Sequence, residues 1–365
     1  MGCESRWDSP VSVADPVEVL APIRLDCALR RGLARIDPWS PSRTLVLTTA
    51  HLGRGCGCGV VAGTLWYPFG MARGFFSQGV VVLLDKGVAI TELQPLLADY
   101  EIARKVEAGD TPEFGGPSLL VSYRPEVNGY VSVDVWDGPW PDHMGDSKGD
   151  AMLFTAWSMG HFCPLAYPGG LQRAAVQAWG WEDARVAVDK HKAAVRLRLS
   201  YVFGMGDDAK VLPEDCDPQH ELSFLLGLAG ALLQHPAALC YFNPNGEVLT
   251  SAEMLRETQD YHTAEDLPPL SLWCNVRLFN LSSEWAVMDC VGNWQLEMPD
   301  HEVAYPTGLV DPGDVDYFIR NVSLYILKNG PVVKNGDTMD GPGDRRWQAR
   351  QFDAGLSDPP RELLR

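Results

Sequence analysis

Between residues 80 and 203 the sequence alternates strand-like and helix-like segments in a fixed order, and this order most constrains the fold. Apolar runs typical of buried strands alternate with segments whose apolar residues recur at helical spacing. The order is strand, helix, strand, strand, helix, strand, which is the split βαβ, ferredoxin-like plan. A similar order continues to about residue 335. The sequence therefore predicts an α+β fold of tandem, duplicated ferredoxin-like βαββαβ units with antiparallel sheets.

The individual segments carry recognisable signals for turns and helix starts. Asn128-Gly129 is a hairpin turn signal between two strand-like runs. Asp217-Pro218 and Asp311-Pro312 are typical helix starts, because Asp caps the helix and Pro needs no amide donor there. The predicted strands are 80–84, 119–123, 130–136, 193–203, 237–242, 270–279, 285–291 and 332–333. The predicted helices begin at Thr91, at Leu171 (to about Val188), at Asp217, near Ser251 and at Asp311.

A change in composition near Gly79 divides the chain. Residues 1–79 contain eight Arg, six Asp or Glu and no Lys, whereas the whole chain has a net charge of −18. We therefore expect residues 1–70 to be a poorly ordered extension, or a segment upstream of a true start at Met71. The predicted organisation continues with a first α+β unit at 78–210, a second at 215–352 and a tail at 353–365.

The net negative charge narrows the classes of partner that the protein can bind. A negative surface repels the nucleic acid backbone and anionic lipid, and it favours a basic protein. No apolar run in the sequence reaches the roughly 18–20 residues that a membrane-crossing helix needs. The nine cysteines are irregularly spaced. Five of them lie in or beside apolar segments and are typical of small core residues in a reducing compartment: Cys163, Cys216, Cys240, Cys274 and Cys290. We predict a cytoplasmic protein that binds neither nucleic acid nor membrane.

Two segments hold the candidate binding residues. In the first, carboxylates and an imidazole follow a Trp-rich run, but their spacing matches no known metal loop, so we predict a solvated acidic loop and no metal site. In the second, two arginines beside a tryptophan are suited to holding an anion or an acidic patch. Alternatively, Arg346 pairs with a nearby Asp and Trp347 closes the edge of the core. The predicted binding residues are Asp137, Trp140, Asp142, His143, Arg345, Arg346 and Trp347.

The sequence motifs give no support for catalysis. Residues 156–160, around Ser158, resemble the nucleophile elbow of serine hydrolases, but Ala replaces the first Gly and prolines occur where a helix must follow. The run Gly53–Gly59 lacks the Lys-Ser/Thr end of a phosphate loop and has no second cysteine pair for zinc. We therefore predict no catalytic residue and no cofactor.

Several stretches resemble a known bacterial family. They are Gly79–Leu84, Trp157–Phe162, Trp179–Trp181, His235–Ala238, Leu272–Leu278 and Asp337–Gly341. Through them, residues 78–352 resemble the bacterial domain of unknown function family 4261 (DUF4261). The family has no established activity, so no catalytic residue is carried over. Some members are similar to neighbours of contact-dependent toxin-delivery clusters, which implies an immunity-like or accessory role in a toxin-delivery system.

Together, these features predict a non-catalytic protein-binding protein that occludes a basic toxin or effector. Carboxylates on one face would steer and hold Lys or Arg side chains of that partner. The alternative is a small-molecule enzyme or ligand sensor that uses the cleft between the two units. The polar groups named for that alternative are Asp134, Asp137, His143 and Arg346.

Overall fold

The computed structural model describes residues 75–107, 116–205, 210–352, 355–359, 361 and 363–364. Residues 73–365 form one compact unit. The expected extension at residues 1–70, the start at Met71 and the run Gly53–Gly59 all lie outside the described residues.

The described part of the chain contains strands of two to eight residues and helices of four to eighteen residues. The strands are β1 (Gln78–Leu84), β2 (Ile102–Val106), β3 (Ser118–Arg124), β4 (Gly129–Trp136), β5 (Ala193–Ser200), β6 (Ala238–Asn243), β7 (Val248–Thr250), β8 (Asn275–Asn280), β9 (Trp285–Val291), β10 (Asp300–Pro306), β11 (Thr338–Gly341), β12 (Arg345–Gln348), β13 (Gln351–Phe352) and β14 (Leu363–Leu364). The helices are α1 (Ile90–Leu93), α2 (Ala151–Ser158), α3 (Gly170–Val176), α4 (Ala184–Lys190), α5 (Pro218–Leu232), α6 (Ala252–Ala264), α7 (Leu270–Trp273) and α8 (Pro312–Asn329).

The larger sheet has the order β2-β3-β4-β5-β1-β6-β7, and its neighbouring strands are antiparallel. Strand β1 is buried along its whole length. Val80, Val82 and Leu84 pack in a core with α5, whereas Val81 and Leu83 pack in a second core with α2, α3 and α4. Burial on both faces explains why this strand is a continuous apolar run rather than an alternating one.

The smaller sheet has the order β13-β14-β10-β9-β8. Its strands are antiparallel except for β10 and β14, which run parallel. Helix α8 packs on one face, where Val315 and Ile319 join Met288, Cys290 and Tyr305 in an apolar cluster. The opposite face carries buried charged residues, described below. Strands β11 and β12 form a separate hairpin.

The α+β class and the antiparallel sheets are confirmed, whereas the duplicated ferredoxin-like arrangement is not confirmed. Strand β5 was expected to close the first unit, and it pairs with both β1 and β4. Strands β6 and β7 fall by sequence in the predicted second unit, yet β6 pairs with β1. One sheet therefore spans the boundary predicted near residues 211–214.

Two of the predicted helices are shorter than expected. The helix predicted over 171–188 is two short helices, α3 and α4, because glycine at position 180 has low helix propensity and the chain turns there against Met254. The helix predicted from Thr91 is a single turn, α1, because a tighter 3-10 turn (Gln94–Leu97) follows directly, with Pro95 near its start.

Three further segments differ from their predicted structure. The strand predicted over 270–279 begins as helix α7, since Pro269 occupies its N-cap position, and β8 starts only at Asn275. Val332 and Val333 are not in a strand. The expected tail at 353–365 contributes β14 to the smaller sheet and buries Arg361, because two carboxylates of that sheet bind its guanidinium group.

The helices that build the site start where the sequence predicts. The Asp217 side chain accepts a hydrogen bond from the backbone N–H of Gln219 at 3.0 Å, with Pro218 in the first turn of α5. The Ser251 hydroxyl accepts from the backbone N–H of Met254 at 3.2 Å and caps α6. Each cap satisfies an N–H group that the helix itself leaves without an acceptor.

Candidate functional site

A surface groove with a volume of about 500 Å³ lies between α5 and α6. This volume is within the range of roughly 300–1,000 Å³ that is typical of ligand sites. One wall comes from α5, the other from α6, and the floor comes from the following loop and α7. The lining residues are Gln219, Ser223 and Leu226 on α5, Gln259, His262 and Thr263 on α6, and Asp266, Leu267, Pro268, Pro269 and Trp273 below them.

The two walls follow from helical spacing. The lining residues of α5 are four and three positions apart, and those of α6 are three and one apart, so each set lies on one helix face. The helices meet where Gly230 of α5 faces Gln259 and Leu255 of α6. The groove opens beside this contact, and its walls carry uncharged amide and hydroxyl groups.

The loop after α6 places one carboxylate at the rim. Asp266 is exposed and has a φ of 54°, in the left-handed region that commonly ends a helix. The backbone N–H of Leu267 donates to the carbonyl of His262 at 2.9 Å and closes the turn. Two prolines then lead into α7. The result is a partly apolar floor next to a negative charge.

Two polar atoms of the lining residues lack hydrogen-bond partners. The Nδ1 atom of His262 and the indole Nε1 of Trp273 are both buried and make no hydrogen bond. Burial lowers the pKa of His262, and the nearby Arg320 guanidinium lowers it further. The imidazole is therefore neutral at pH 7, so the groove contains a carboxylate but no cationic histidine.

The outer face of α6 is acidic. Residues 252–269 contain five Asp or Glu and one Arg. Glu253, Glu257 and Asp260 are exposed and are spaced four and three positions apart, on the side opposite the buried Leu255. Like charges at this spacing destabilise a helix by about 0.2–0.5 kcal/mol per pair. Arg256, three positions after Glu253 and four before Asp260, offsets part of this repulsion, so these four side chains together keep a net negative charge.

An exposed tryptophan lies near the other end of this helix. Trp179 is 65% exposed. The next residue, Gly180, faces Met254 in the first turn of α6, and a Cβ atom at Gly180 would lie 3.3 Å from the Met254 methyl carbon. A helix of this length spans about 20 Å. We call Trp179, the acidic stripe and the groove together the α6 surface.

Two of the four predicted binding residues of the first segment, Asp142 and Trp140, have structural contacts. Asp142 accepts hydrogen bonds from the backbone N–H groups of Leu171 and Gln172, both at 2.9 Å, at the start of α3. Burial raises the pKa of Asp142, although these two hydrogen bonds oppose the rise. Trp140 is buried among aromatic rings, and Asp137 and His143 are exposed.

The second predicted segment forms a surface hairpin. The Arg346 Nε atom lies 3.4 Å from an Asp340 carboxylate oxygen, and Arg345 is exposed. The Trp347 indole donates to the Pro342 carbonyl at 3.2 Å. This geometry agrees with the alternative of a local ion pair and a core-edge tryptophan. Over the described ranges, no hydrogen bond, ion pair or ring contact joins the two predicted segments to each other, and neither lines the groove.

Sequence analysis did not predict the chain of buried charges on the smaller sheet. Alternating basic and acidic groups connect α3, the β6–β7 turn, the sheet and the C-terminal segment. The pairs are Arg173–Glu247 at 2.5 Å, Arg277–Glu247 at 2.8 Å, Arg277–Asp289 at 2.6 Å, Arg361–Asp289 at 2.5 Å and Arg361–Asp300 at 2.6 Å. Because each ion is paired and nearly all are buried, removal of any one partner would leave an uncompensated buried charge.

The two aspartates at the end of this chain have opposite pKa shifts. Burial acts to raise the pKa of Asp289, but the guanidinium groups of Arg277 and Arg361 outweigh it and hold the pKa below its usual value. Burial raises the pKa of Asp300 above its usual value, although Arg361 opposes the rise. These shifts have a structural origin, because both carboxylates are enclosed by protein.

Asp134 and Ser158, which the sequence offers as candidates for catalysis, also have structural roles. Asp134 is a buried residue of β4 in the larger sheet, where it pairs with Arg196 and with Arg198 (at 2.7 Å) of the neighbouring β5. Burial lowers the pKa of Arg198 to about 10, although Asp134 opposes the change. The Ser158 hydroxyl donates to the Phe154 carbonyl at 2.8 Å at the end of α2, rather than standing at a strand-to-helix turn.

Within the residues that the structure describes, no group of three or more His, Cys, Asp or Glu side chains is arranged to hold a metal ion. In the same part of the chain, none of the helices combines the length and the apolar character needed to cross a membrane.

Comparison with known proteins finds a family match in the C-terminal part of the chain. The searches of curated proteins and of solved structures found no match. A family model described as a domain of unknown function (DUF4261) matches residues 289–365. The matched range includes β10, α8 and β14, and it holds Asp289, Asp300 and Arg361 of the buried charge network. The resemblance to the DUF4261 family, predicted over residues 78–352, is thus confirmed for the C-terminal part of the chain, where the family model matches residues 289–365.

Proposed function

We propose that this protein is a non-catalytic binding protein whose α6 surface holds a basic segment of a partner protein. The observation that carries the proposal is the position of an open groove of about 500 Å³ beside a helix with an acidic outer face. Carboxylates steer a basic partner toward the surface and fix its orientation. The groove then supplies a concave contact that a flat acidic surface lacks.

Each part of the α6 surface has a distinct task in this proposal. Glu257 and Asp260 attract Lys or Arg side chains, and Asp266 holds one of them at the rim of the groove. The proline and leucine side chains of the floor contact the aliphatic part of such a side chain. Trp179 provides an exposed aromatic anchor, a residue type enriched among binding hot spots.

The biological form of this proposal is an immunity-like or accessory protein of a toxin-delivery system. The support for it is the family resemblance, together with the acidic net charge of −18. The partner would be a basic toxin or effector, which the α6 surface occludes by steric contact and charge pairing. We place the protein in the cytoplasm, and the free thiols of Cys163, Cys240 and Cys290 support a reducing compartment.

A small-ligand sensor is the second candidate, because the groove volume also suits a small molecule. The groove lies within residues 219–273, which is inside the predicted second unit rather than in a cleft between the two units. A small, uncharged ligand would bind with little dependence on salt, whereas a basic segment would be released as salt screens the carboxylates.

Charge reversal with a matched control tests the proposal. The test variant is Glu257→Lys with Asp260→Lys, and the control is Asp189→Lys with Glu284→Lys, four residues that are all exposed. The probe is a fluorescent, acetylated and amidated peptide of alternating Lys and Ala, measured by anisotropy. We expect the test variant to bind about tenfold more weakly and the control to bind like the wild type. Equal affinity of both variants, or no binding by the wild type, would refute the proposal.

A further inference from the structure

The guanidinium group of Arg361 lies in a cradle of oxygen atoms on the smaller sheet. Its Nε atom donates to the Asp300 carboxylate at 2.6 Å, and one terminal nitrogen donates to the Asp289 carboxylate at 2.5 Å and to the Cys290 carbonyl at 2.9 Å. The other terminal nitrogen donates to the Pro359 carbonyl at 3.0 Å. Three of these four acceptors belong to β9 and β10, and one belongs to the segment that carries Arg361.

The two carboxylates of the cradle are held in place by groups other than Arg361. Arg277 on β8 donates to both oxygen atoms of Asp289, at 3.0 and 2.6 Å. The backbone N–H of Asn293, in the turn after β9, donates to Asp300 at 2.9 Å. Because these partners come from the sheet and its turn, the cradle is preorganised without the C-terminal segment.

The charges of the buried network require one cation at this position. The network contains three carboxylates but, without Arg361, only two guanidinium groups. A buried carboxylate that loses its cation is strongly destabilising. One monovalent cation at the position of the Arg361 guanidinium neutralises the network. The cradle therefore matches its occupant in charge.

The positions of the acceptors suit a guanidinium group rather than an ammonium group. Arginine presents its N–H donors in a planar fork, so one group can reach carboxylates on two neighbouring strands. An ammonium group presents its three N–H donors from a single nitrogen atom. In the cradle, Nε reaches Asp300 and a terminal nitrogen reaches Asp289, so two different nitrogen atoms are used. The site therefore selects its ligand by shape as well as by charge.

The segment that carries Arg361 has few pairings with the sheet. Its strand β14 has two residues, which pair with β10 and β13. The Ser357 hydroxyl donates to Asp289 at 2.5 Å, and the backbone N–H of Leu356 donates to Glu302 at 2.9 Å. Local opening of such a terminal segment costs less free energy than unfolding of the whole protein. Opening leaves the cradle formed and accessible.

We infer that the smaller sheet contains a guanidinium-binding site and that the C-terminal segment is its intramolecular ligand. Arg361 fills the site while the segment is docked. When the segment opens, the site accepts the arginine side chain of another polypeptide, which Asp289, Asp300 and the Cys290 carbonyl hold. The inference goes beyond the proposed function, because the site lies on the smaller sheet and its residues differ from those of the α6 surface.

The first test is chemical rescue of Arg361→Ala, because ethylguanidine replaces the missing group without a tether. The matched control, Arg346→Ala, also removes an arginine that is paired with an aspartate, but at an exposed position. Equilibrium urea denaturation of the full-length variants gives the ratio of folded to unfolded protein, and the probe can enter the buried site as the chain folds.

The expected result is selective rescue by the guanidinium probe. At about 10 mM, ethylguanidine should raise the ratio of folded to unfolded Arg361→Ala about tenfold, as for a ligand with a Kd of about 1 mM. Ethylamine at the same concentration should have little effect, because an ammonium group does not span the two carboxylates. Neither compound should stabilise Arg346→Ala or the wild type.

The second test weakens the docking of the segment and keeps Arg361. Leu363 is 1% exposed in β14 and carries no charge, so Leu363→Ala should open the segment more often. Hydrogen–deuterium exchange of the C-terminal segment is then measured with acetylated and amidated arginine or lysine. At about 10 mM, blocked arginine should speed exchange about tenfold, because it binds the open state in competition with Arg361. Blocked lysine should not speed it.

The outcomes decide the inference even if Arg361→Ala fails to fold, since the exchange test then stands alone. Equal effects of the guanidinium and ammonium probes in either test would overturn guanidinium recognition. No effect of ethylguanidine on folded Arg361→Ala, or no effect of blocked arginine on Leu363→Ala, would also overturn the inference. Binding of the Lys-Ala peptide at the α6 surface is a separate measurement, so failure of one proposal leaves the other standing.

Discussion

At the scale of single residues, Arg361 connects two buried carboxylates at the end of the charge network. Its guanidinium group lies 2.5 Å from Asp289 and 2.6 Å from Asp300. Arg361→Ala would leave both aspartates buried without this cation, and we expect the free energy of unfolding to fall by about 3–5 kcal/mol. Urea denaturation measures the change, and the exposed Arg350→Ala is the control. A loss equal to that of the control would mean that the network contributes nothing to stability.

His301 makes stability depend on pH in the mildly acidic range. Its ring is buried, neither ring nitrogen has a hydrogen-bond partner, and burial lowers its pKa to about 4. Below about pH 6.5 the His301 imidazole of the unfolded chain binds a proton, whereas the buried imidazole of the folded protein stays neutral down to about pH 4. The contribution of this group to the free energy of unfolding is therefore complete above about pH 6.5. As the pH decreases, the contribution falls by up to about 3 kcal/mol.

The variant His301→Leu tests this dependence, because leucine keeps the side-chain volume and removes the titrating group. Chemical denaturation at about pH 7 and about pH 4.5 gives the free energy of unfolding of each protein. The wild type should lose more stability than the variant between these two pH values. Parallel losses in both proteins would show that His301 titrates as it does in the unfolded chain.

At Asp266, on the rim of the groove, one substitution can remove the charge and keep the backbone conformation. Its φ of 54° is in the left-handed region, which asparagine also tolerates. Asp266→Asn should therefore keep the stability of the protein and weaken binding of the Lys-Ala peptide by about two- to fivefold. Anisotropy titration and thermal unfolding together measure both effects. Unchanged affinity would remove Asp266 from the binding site.

At the scale of elements, the β6–β7 turn fits tightly beneath the end of α7. A Cβ atom on Gly246 would lie 1.8 Å from the Trp273 carbonyl oxygen, and this contact is with backbone that has little freedom to move. We expect Gly246→Ala to lower the free energy of unfolding by about 2–4 kcal/mol. The control is Gly116→Ala, where a Cβ atom meets nothing within 4 Å. Denaturation midpoints that coincide would contradict the tight fit.

The same scale explains which parts of the fold the sequence predicts. The starts of α5 and α8 can be predicted from the sequence, because Asp217 and Asp311 form their caps within a few residues of chain. The pairing of β6 with β1 joins strands about 160 residues apart, and no local pattern encodes it. The break between α3 and α4 is a local feature, and Gly180 was its available signal.

The candidate site was harder to predict than the elements that form it. The predicted binding residues have side chains whose chemistry suits binding. In the structure, however, Asp142 caps a helix and Trp347 packs against Phe318. The groove joins α5 to a loop some forty residues later, so it depends on packing. The one sequence feature that indicates this region is the spacing of Glu253, Glu257 and Asp260 on one face of α6.

At the scale of the whole molecule, the net charge of −18 acts together with the α6 surface. Long-range attraction of a basic partner is screened over about 8–10 Å at physiological salt, so affinity for the Lys-Ala peptide should fall steadily as salt increases. The Glu257→Lys with Asp260→Lys variant should reduce the slope of affinity against salt, and the Asp189→Lys with Glu284→Lys control should not. That result would assign the attraction to α6 rather than to the overall charge.

Hydrogen–deuterium exchange of the full-length protein with and without the Lys-Ala peptide tests the central claim most directly, because it locates the bound peptide on the chain. We predict slower exchange in α6 and through the following loop to Trp273, with residues 137–143 and 345–347 unchanged. Slower exchange at 137–143 or 345–347 instead, or no change anywhere, would contradict the assignment of binding to the α6 surface.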